Sequence, residues 1–121
     1  MTTKYVQDGA VLDYTNTSGS TIAAGTPVVM DNIIGVALAD IANNATGAMA
    51  VEGVFTLPKV TGSAWAIGAK LLWDASAAKF DVGTAMPATG DVSVCCIAAA
   101  AAASAATTGA VKLNVGVGTV A

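Results

Sequence analysis

Val111-Lys112-Leu113-Asn114-Val115-Gly116-Val117 carries an apolar residue at every second position. Side chains alternate between the two faces of a strand. The spacing therefore predicts a strand whose Val111, Leu113, Val115 and Val117 share one buried face. The same short rhythm runs through the rest of the chain, where apolar stretches alternate with clusters of Gly, Asn, Ser and Thr. The stretches that read as strands are Val11–Thr15, Pro27–Met30, Ile33–Ala39, Ala48–Leu57, Lys70–Trp73, Lys79–Val82, Val92–Ala98 and Ala110–Val117. Gly53 lies inside the fourth, where a glycine marks a bulge or a close backbone approach. The run Ala98–Ala106 is ambiguous, because alanine favours helix but an isolated helix this short is marginal. Its flanks, a strand-like Val-Ser-Val-Cys-Cys-Ile and the turn residues Thr107-Thr-Gly, make it a strand end followed by a loop, with room for one helical turn.

A weak internal repeat accompanies this pattern. Gly25-Thr-Pro-Val-Val-Met-Asp matches Gly68-Ala-Lys-Leu-Leu-Trp-Asp: a glycine, two further residues, three apolar residues and an aspartate. Val36-Ala-Leu-Ala then leads through a polar loop to Thr46-Gly-Ala-Met-Ala-Val, as Ile97-Ala-Ala-Ala leads to Thr108-Gly-Ala-Val-Lys-Leu. The expected fold is all-β, a small β-sandwich or β-barrel of short antiparallel strands, with one hairpin-based unit used twice. At 121 residues the chain suits one β domain, residues 11–121, preceded by an N-terminal arm, residues 1–10.

Composition narrows the function. Hydrophobic residues make up 55% of the chain and charged residues only 11%, against about a quarter in ordinary soluble domains. A surface so poor in charge exposes apolar area, and contiguous apolar area marks interfaces. There is no His and no Arg; the cations are Lys4, Lys59, Lys70, Lys79 and Lys112, scattered along a chain of net charge −3. Phosphate-binding proteins carry a basic stripe, so direct nucleic-acid contact is not expected, nor is binding to anionic membranes. The N-terminus is polar and the longest apolar run, Ile97–Ala106, is too short to span a bilayer, which points to a soluble protein made inside a cell. Asn16-Thr-Ser and Asn44-Ala-Thr match the glycosylation sequon, to which a chain without a secretion signal gives little weight.

Catalytic, cofactor and metal residues are not expected. Without His the commonest general base is missing, together with the Ser-His and Cys-His nucleophile pairs. Neither a phosphate-binding Gly-Lys-Ser/Thr loop nor a dinucleotide Gly-x-Gly-x-x-Gly loop ahead of a helix is present. The adjacent Cys95 and Cys96 have the wrong spacing for zinc and the wrong geometry to bridge each other, and read as small apolar strand residues. Of the eight carboxylates, Asp31, Asp74 and Asp91 sit beside turn residues, where aspartate bonds its own backbone. Trp73 ends an apolar triplet and reads as core. Trp65, in a Gly/Ser/Ala-rich loop, reads equally as core or as an interface anchor. Thr2, Thr3, Lys4, Tyr5, Val6 and Gln7 precede the first strand and are candidates, with Trp65, for contact with another protein surface or with other copies of the chain.

Four stretches in order, Gly25-Thr-Pro-Val-Val, Ile34-Gly-Val-Ala-Leu-Ala-Asp-Ile, Gly47 to Lys59 and Gly68-Ala-Lys-Leu-Leu-Trp-Asp, resemble the capsid cement, or head decoration, proteins of tailed phages. The most specific part is Glu52-Gly-Val-Phe-Thr-Leu-Pro-Lys59. At Cys95-Cys-Ile-Ala the chain departs from the pattern, with Cys96 where such proteins often have Gly. The resemblance implies a protein on the outer face of a virion capsid, made in the host bacterial cytoplasm. It would bind the major capsid protein where capsomers meet and stabilise the expanded shell. It implies self-association, as a homotrimer or, in some such proteins, a dimer, and no cofactor. The competing reading is a carbohydrate- or host-surface-binding module, which clustered exposed aromatics would favour; the chain has only six aromatic residues.

Overall fold

The computed structural model of the chain describes residues 9–83 and 86–121. The strands are β1 (Val11–Thr15), β2 (Pro27–Met30), β3 (Ile33–Ala37), β4 (Thr46–Ala50), β5 (Val54–Pro58), β6 (Lys70–Asp74), β7 (Lys79–Val82), β8 (Val92–Ala98), β9 (Thr108–Lys112) and β10 (Thr119–Val120). No helix occurs among the described residues. They form two antiparallel sheets, one of four strands in the order β1-β4-β3-β2 and one of six in the order β5-β9-β8-β6-β7, with β10 added to β8. The second sheet curls on itself: Val60 donates to the Phe80 carbonyl at 2.8 Å, returning β7 to the end of β5.

The repeat in the sequence is a repeat in space. Gly25 and Gly68 both have left-handed backbones, at φ 84° and 82°. Gly25 donates to the Ala37 carbonyl and Ala37 to that of Thr26; Gly68 donates to Ala98 and Ala98 to Ala69. Each is a bulge in which two residues oppose one, and glycine supplies the positive φ at no steric cost. The bridge Ile22–Ile41 answers to Trp65–Ala102, the ladder β1–β4 to β5–β9, and the ladder β3–β4 to β8–β9. Counterparts lie 43 positions apart up to Asp31 and Asp74, 61 apart from Val36 and Ile97 to Ile41 and Ala102, and 62 apart from Thr46 and Thr108 onward. The 18 residues gained in the second unit contain β7.

One core serves both sheets. Ile34 and Val36 of β3 pack with Leu57, Trp65, Leu71, Trp73, Phe80, Val92, Cys95, Cys96, Ala98, Val111 and Leu113. Trp73 is core as expected, edge-on to Phe80 with centroids 5.1 Å apart. A smaller cluster of Ile22, Ala37, Ile41 and Met49 lies inside the first unit.

Three expectations need correction. The stretch Ala48–Leu57 is two strands, β4 and β5, in different sheets. Gly53, at φ 112°, belongs to the corner between them and is no bulge within one strand. The alternation in Val111–Val117 buries Val111 and Leu113 but leaves Val115 and Val117 exposed. The chain turns at Asn114, whose φ is 51°, so the last two valines leave the sheet. Residues 99–107 form a loop without a helical turn.

Candidate interaction surface

Asp40, Asp74 and Asp91 are engaged by backbone amides, and both thiols are buried. Asp74 accepts hydrogen bonds from the Ser76 hydroxyl and from the backbones of Ser76 and Ala77. These donors, the Ser76 hydroxyl first, hold its carboxyl below the usual aspartate range. Asp91 is buried and accepts from the backbones of Ala75 and Ala88, and Asp40 from that of Ala24. Among the described residues no three His, Cys, Asp or Glu side chains gather where they could hold a metal ion. Both sequons begin at turn-forming asparagines. Asn16 is buried, and its side-chain amide donates to the carbonyls of Ser20 and Ile41.

Cys95 and Cys96 are free thiols inside the core, with their sulfurs 3.3 Å apart. Adjacent strand residues normally face opposite ways. Here a register shift puts Leu71 opposite Cys96 and Leu72 opposite Ser93, so the bulge turns both thiols inward. The shift falls at Cys96, whose counterpart in the first unit is Gly35. At Gly35 a Cβ would meet the Met30 sulfur at 2.5 Å and the Met49 Cβ at 3.2 Å, so a side chain there requires Met30 to move. The hydrogen bond to Cys96, then burial, pushes the Cys95 thiol up.

Lys59, the last residue of the most family-like stretch, is fully buried, and its sequence pattern carried no sign of this. Its ammonium donates to the carbonyls of Val60 at 3.0 Å and Ser63 at 2.7 Å, and lies 5.3 Å from the centre of the Trp65 ring. Its counterpart Asn16 does the same for the carbonyl of Ser20, the counterpart of Ser63. The two units therefore each use one buried polar side chain to hold the loop after their first strand.

Trp65 is 4% exposed. Its ring lies against Gly109, where a Cβ would stand 2.2 Å from the indole, and its Nε1 donates to the Ala100 carbonyl. The ring thus supports a surface from below. That surface is an apolar groove of about 500 Å³ lined by Ala64, Ala66, Ala69, Val82 and Gly83, with Trp65 and Lys70. Ile67 stands exposed beside it, and Met86 and Val54 are also exposed. None of the large exposed hydrophobic side chains among the described residues is aromatic. Thr2, Thr3, Lys4, Tyr5, Val6 and Gln7 lie outside the described residues.

A family model described as a phage cement protein matches residues 6–113. No curated protein and no solved structure matches the chain.

Proposed function

The chain belongs to the phage cement protein family, and from that premise we propose that it binds the outer surface of a phage head where capsomers meet and holds the expanded shell together. The family match over residues 6–113 carries the reading. The partner is the major capsid protein, and the chain acts as a homotrimer without enzymatic activity. It makes no direct contact with nucleic acid or membrane. The surface supports this: charge is sparse, Ile67 stands exposed beside the apolar groove over Trp65, and Asp40, Asp74 and Asp91 are engaged by backbone amides.

Cementing is binding linkage. A ligand with affinity for the assembled, expanded shell alone stabilises that state by mass action. Each contact gains about 25 cal/mol per Å² of apolar area before the cost of association, so single contacts are weak. Repetition around a closed shell multiplies them. The experiment is co-sedimentation of the purified chain with expanded heads that lack it and with unexpanded proheads. Saturable binding to the expanded heads alone is expected. Deleting Thr2–Asp8 is expected to leave the fold intact and weaken attachment. Absence of binding by the full chain to expanded heads overturns the reading.

A further inference from the structure

The two units share their glycine bulges, bridges and ladders, while β8 carries a register shift that β3 lacks and the outer neighbours of β6 and β2 differ. β6 lies between β8 and β7, whereas its counterpart β2 bonds β3 and ends the sheet among the described residues. The neighbour matters for burial. Leu71, Leu72 and Trp73 are each 5% exposed or less, while Val28, Val29 and Met30, 43 positions earlier, are all only half-buried. The bulge at Gly25 and the two-residue turn Asp31-Asn32 make Val28 and Met30 the residues bonded to β3. The N–H and C=O of Val29 and the C=O of Pro27 then point outward. Pro27 occupies the place of Lys70, whose carbonyl accepts from Gly83 at 2.7 Å. A proline there keeps the acceptor and exposes no unpaired donor, as suits an edge strand. Such an edge is a template for an added strand.

We propose that the β2 edge takes residues 4–7 of a second copy of this chain, Lys-Tyr-Val-Gln, as an antiparallel strand in the place that β7 fills beside β6. The pairing of β7 defines the register: Lys79 faces Asp74, Phe80 faces Trp73 and Asp81 faces Leu72. Transferred to β2, it sets Lys4 opposite Asp31, Tyr5 opposite Met30 and Val6 opposite Val29. A lysine–aspartate pair and an aromatic residue against a large apolar one recur at the same two positions. The backbone N–H of Asp8 then meets the Pro27 carbonyl, as that of Gly83 meets Lys70.

The segment cannot reach this place on its own sheet. The ladders put Val11 level with Pro27, at the opposite edge. The added strand would lie four strand spacings from β1, about 19 Å along the sheet. The three residues from Asp8 to Val11 span at most about 10 Å. Donor and acceptor surfaces differ, so each copy gives one segment and takes one, and the contacts close into a ring. The inference rests on the reading of the chain as a self-associating shell component, but its test uses no heads.

The test is the mass of the isolated protein by light scattering, with cysteine cross-linking as the second measurement. The full chain is expected to be a closed oligomer, and the chain lacking Thr2–Asp8 a folded monomer by circular dichroism. Tyr5→Cys combined with Met30→Cys, residues directly opposite across a non-hydrogen-bonded pair, is expected to link copies to one another under oxidation; either substitution alone is not. A monomeric full chain, an unchanged mass after deletion, a link within one chain, or a dimer linked through Met30→Cys alone each overturns the proposal. Loss of head binding by an intact oligomer would count against the proposed function and leave this inference standing.

Discussion

Lys59 shows how one side chain can hold a loop. Its ammonium is fully buried, and two carbonyls and an aromatic face meet its donors. Substituting Lys59→Met keeps most of the aliphatic volume but leaves the Val60 and Ser63 carbonyls without their donor, at a cost of about 1–3 kcal/mol. Lys59→Ala adds a cavity and costs more, about 2–5 kcal/mol. Urea denaturation of the three proteins measures both, and equal midpoints would show that the ammonium holds nothing. Composition could not reveal this lysine as buried, because lysines are almost never fully buried. The opposite held for Asp74: turn chemistry is short-range, and it accepts from Ser76 and Ala77 as its neighbours indicated, while Asp91 adds to its local bond from Ala88 one from Ala75, 16 positions away.

Among the elements, strands with local signals were legible. β1, β2, β7 and β8 have the bounds that alternation and flanking turn residues indicate, and β6 is longer by one residue. What alternation misses is where a strand leaves its sheet. Asn114 decides this for the C-terminal segment. It adopts a left-handed φ, donates to the carbonyls of Ile34 and Val51, and accepts from the Ile34 amide at 3.0 Å. Those partners are 80 and 63 positions away, beyond any periodic pattern. The side chain thereby ties the end of β9 to β3 across the two sheets. Asn114→Ala is expected to cost about 2–4 kcal/mol, from lost bonds and from an unfavourable left-handed alanine. Asn114→Gly relieves only the backbone part, so it falls between wild type and alanine in thermal denaturation. Equal losses for the two would contradict the backbone contribution.

At the scale of the whole molecule, the repeat was visible in Gly25–Asp31 and Gly68–Asp74, and the hydrogen bonds of the two bulges match one for one. The burial of Trp65 was not visible, because it depends on Gly109 lying beneath the ring and on the alanine loop closing over it. The alanine-rich composition has a double use: small side chains let that loop approach the indole, and outside they leave a surface with few charges. That surface, on a chain of the phage cement family, is what the proposed function employs. Stabilisation of the shell is its central claim, and the temperature at which heads release their DNA measures it most directly. Heads saturated with the chain are expected to release DNA at a higher temperature than the same heads without it, with the shift following occupancy. Equal release temperatures at full occupancy would contradict the claim.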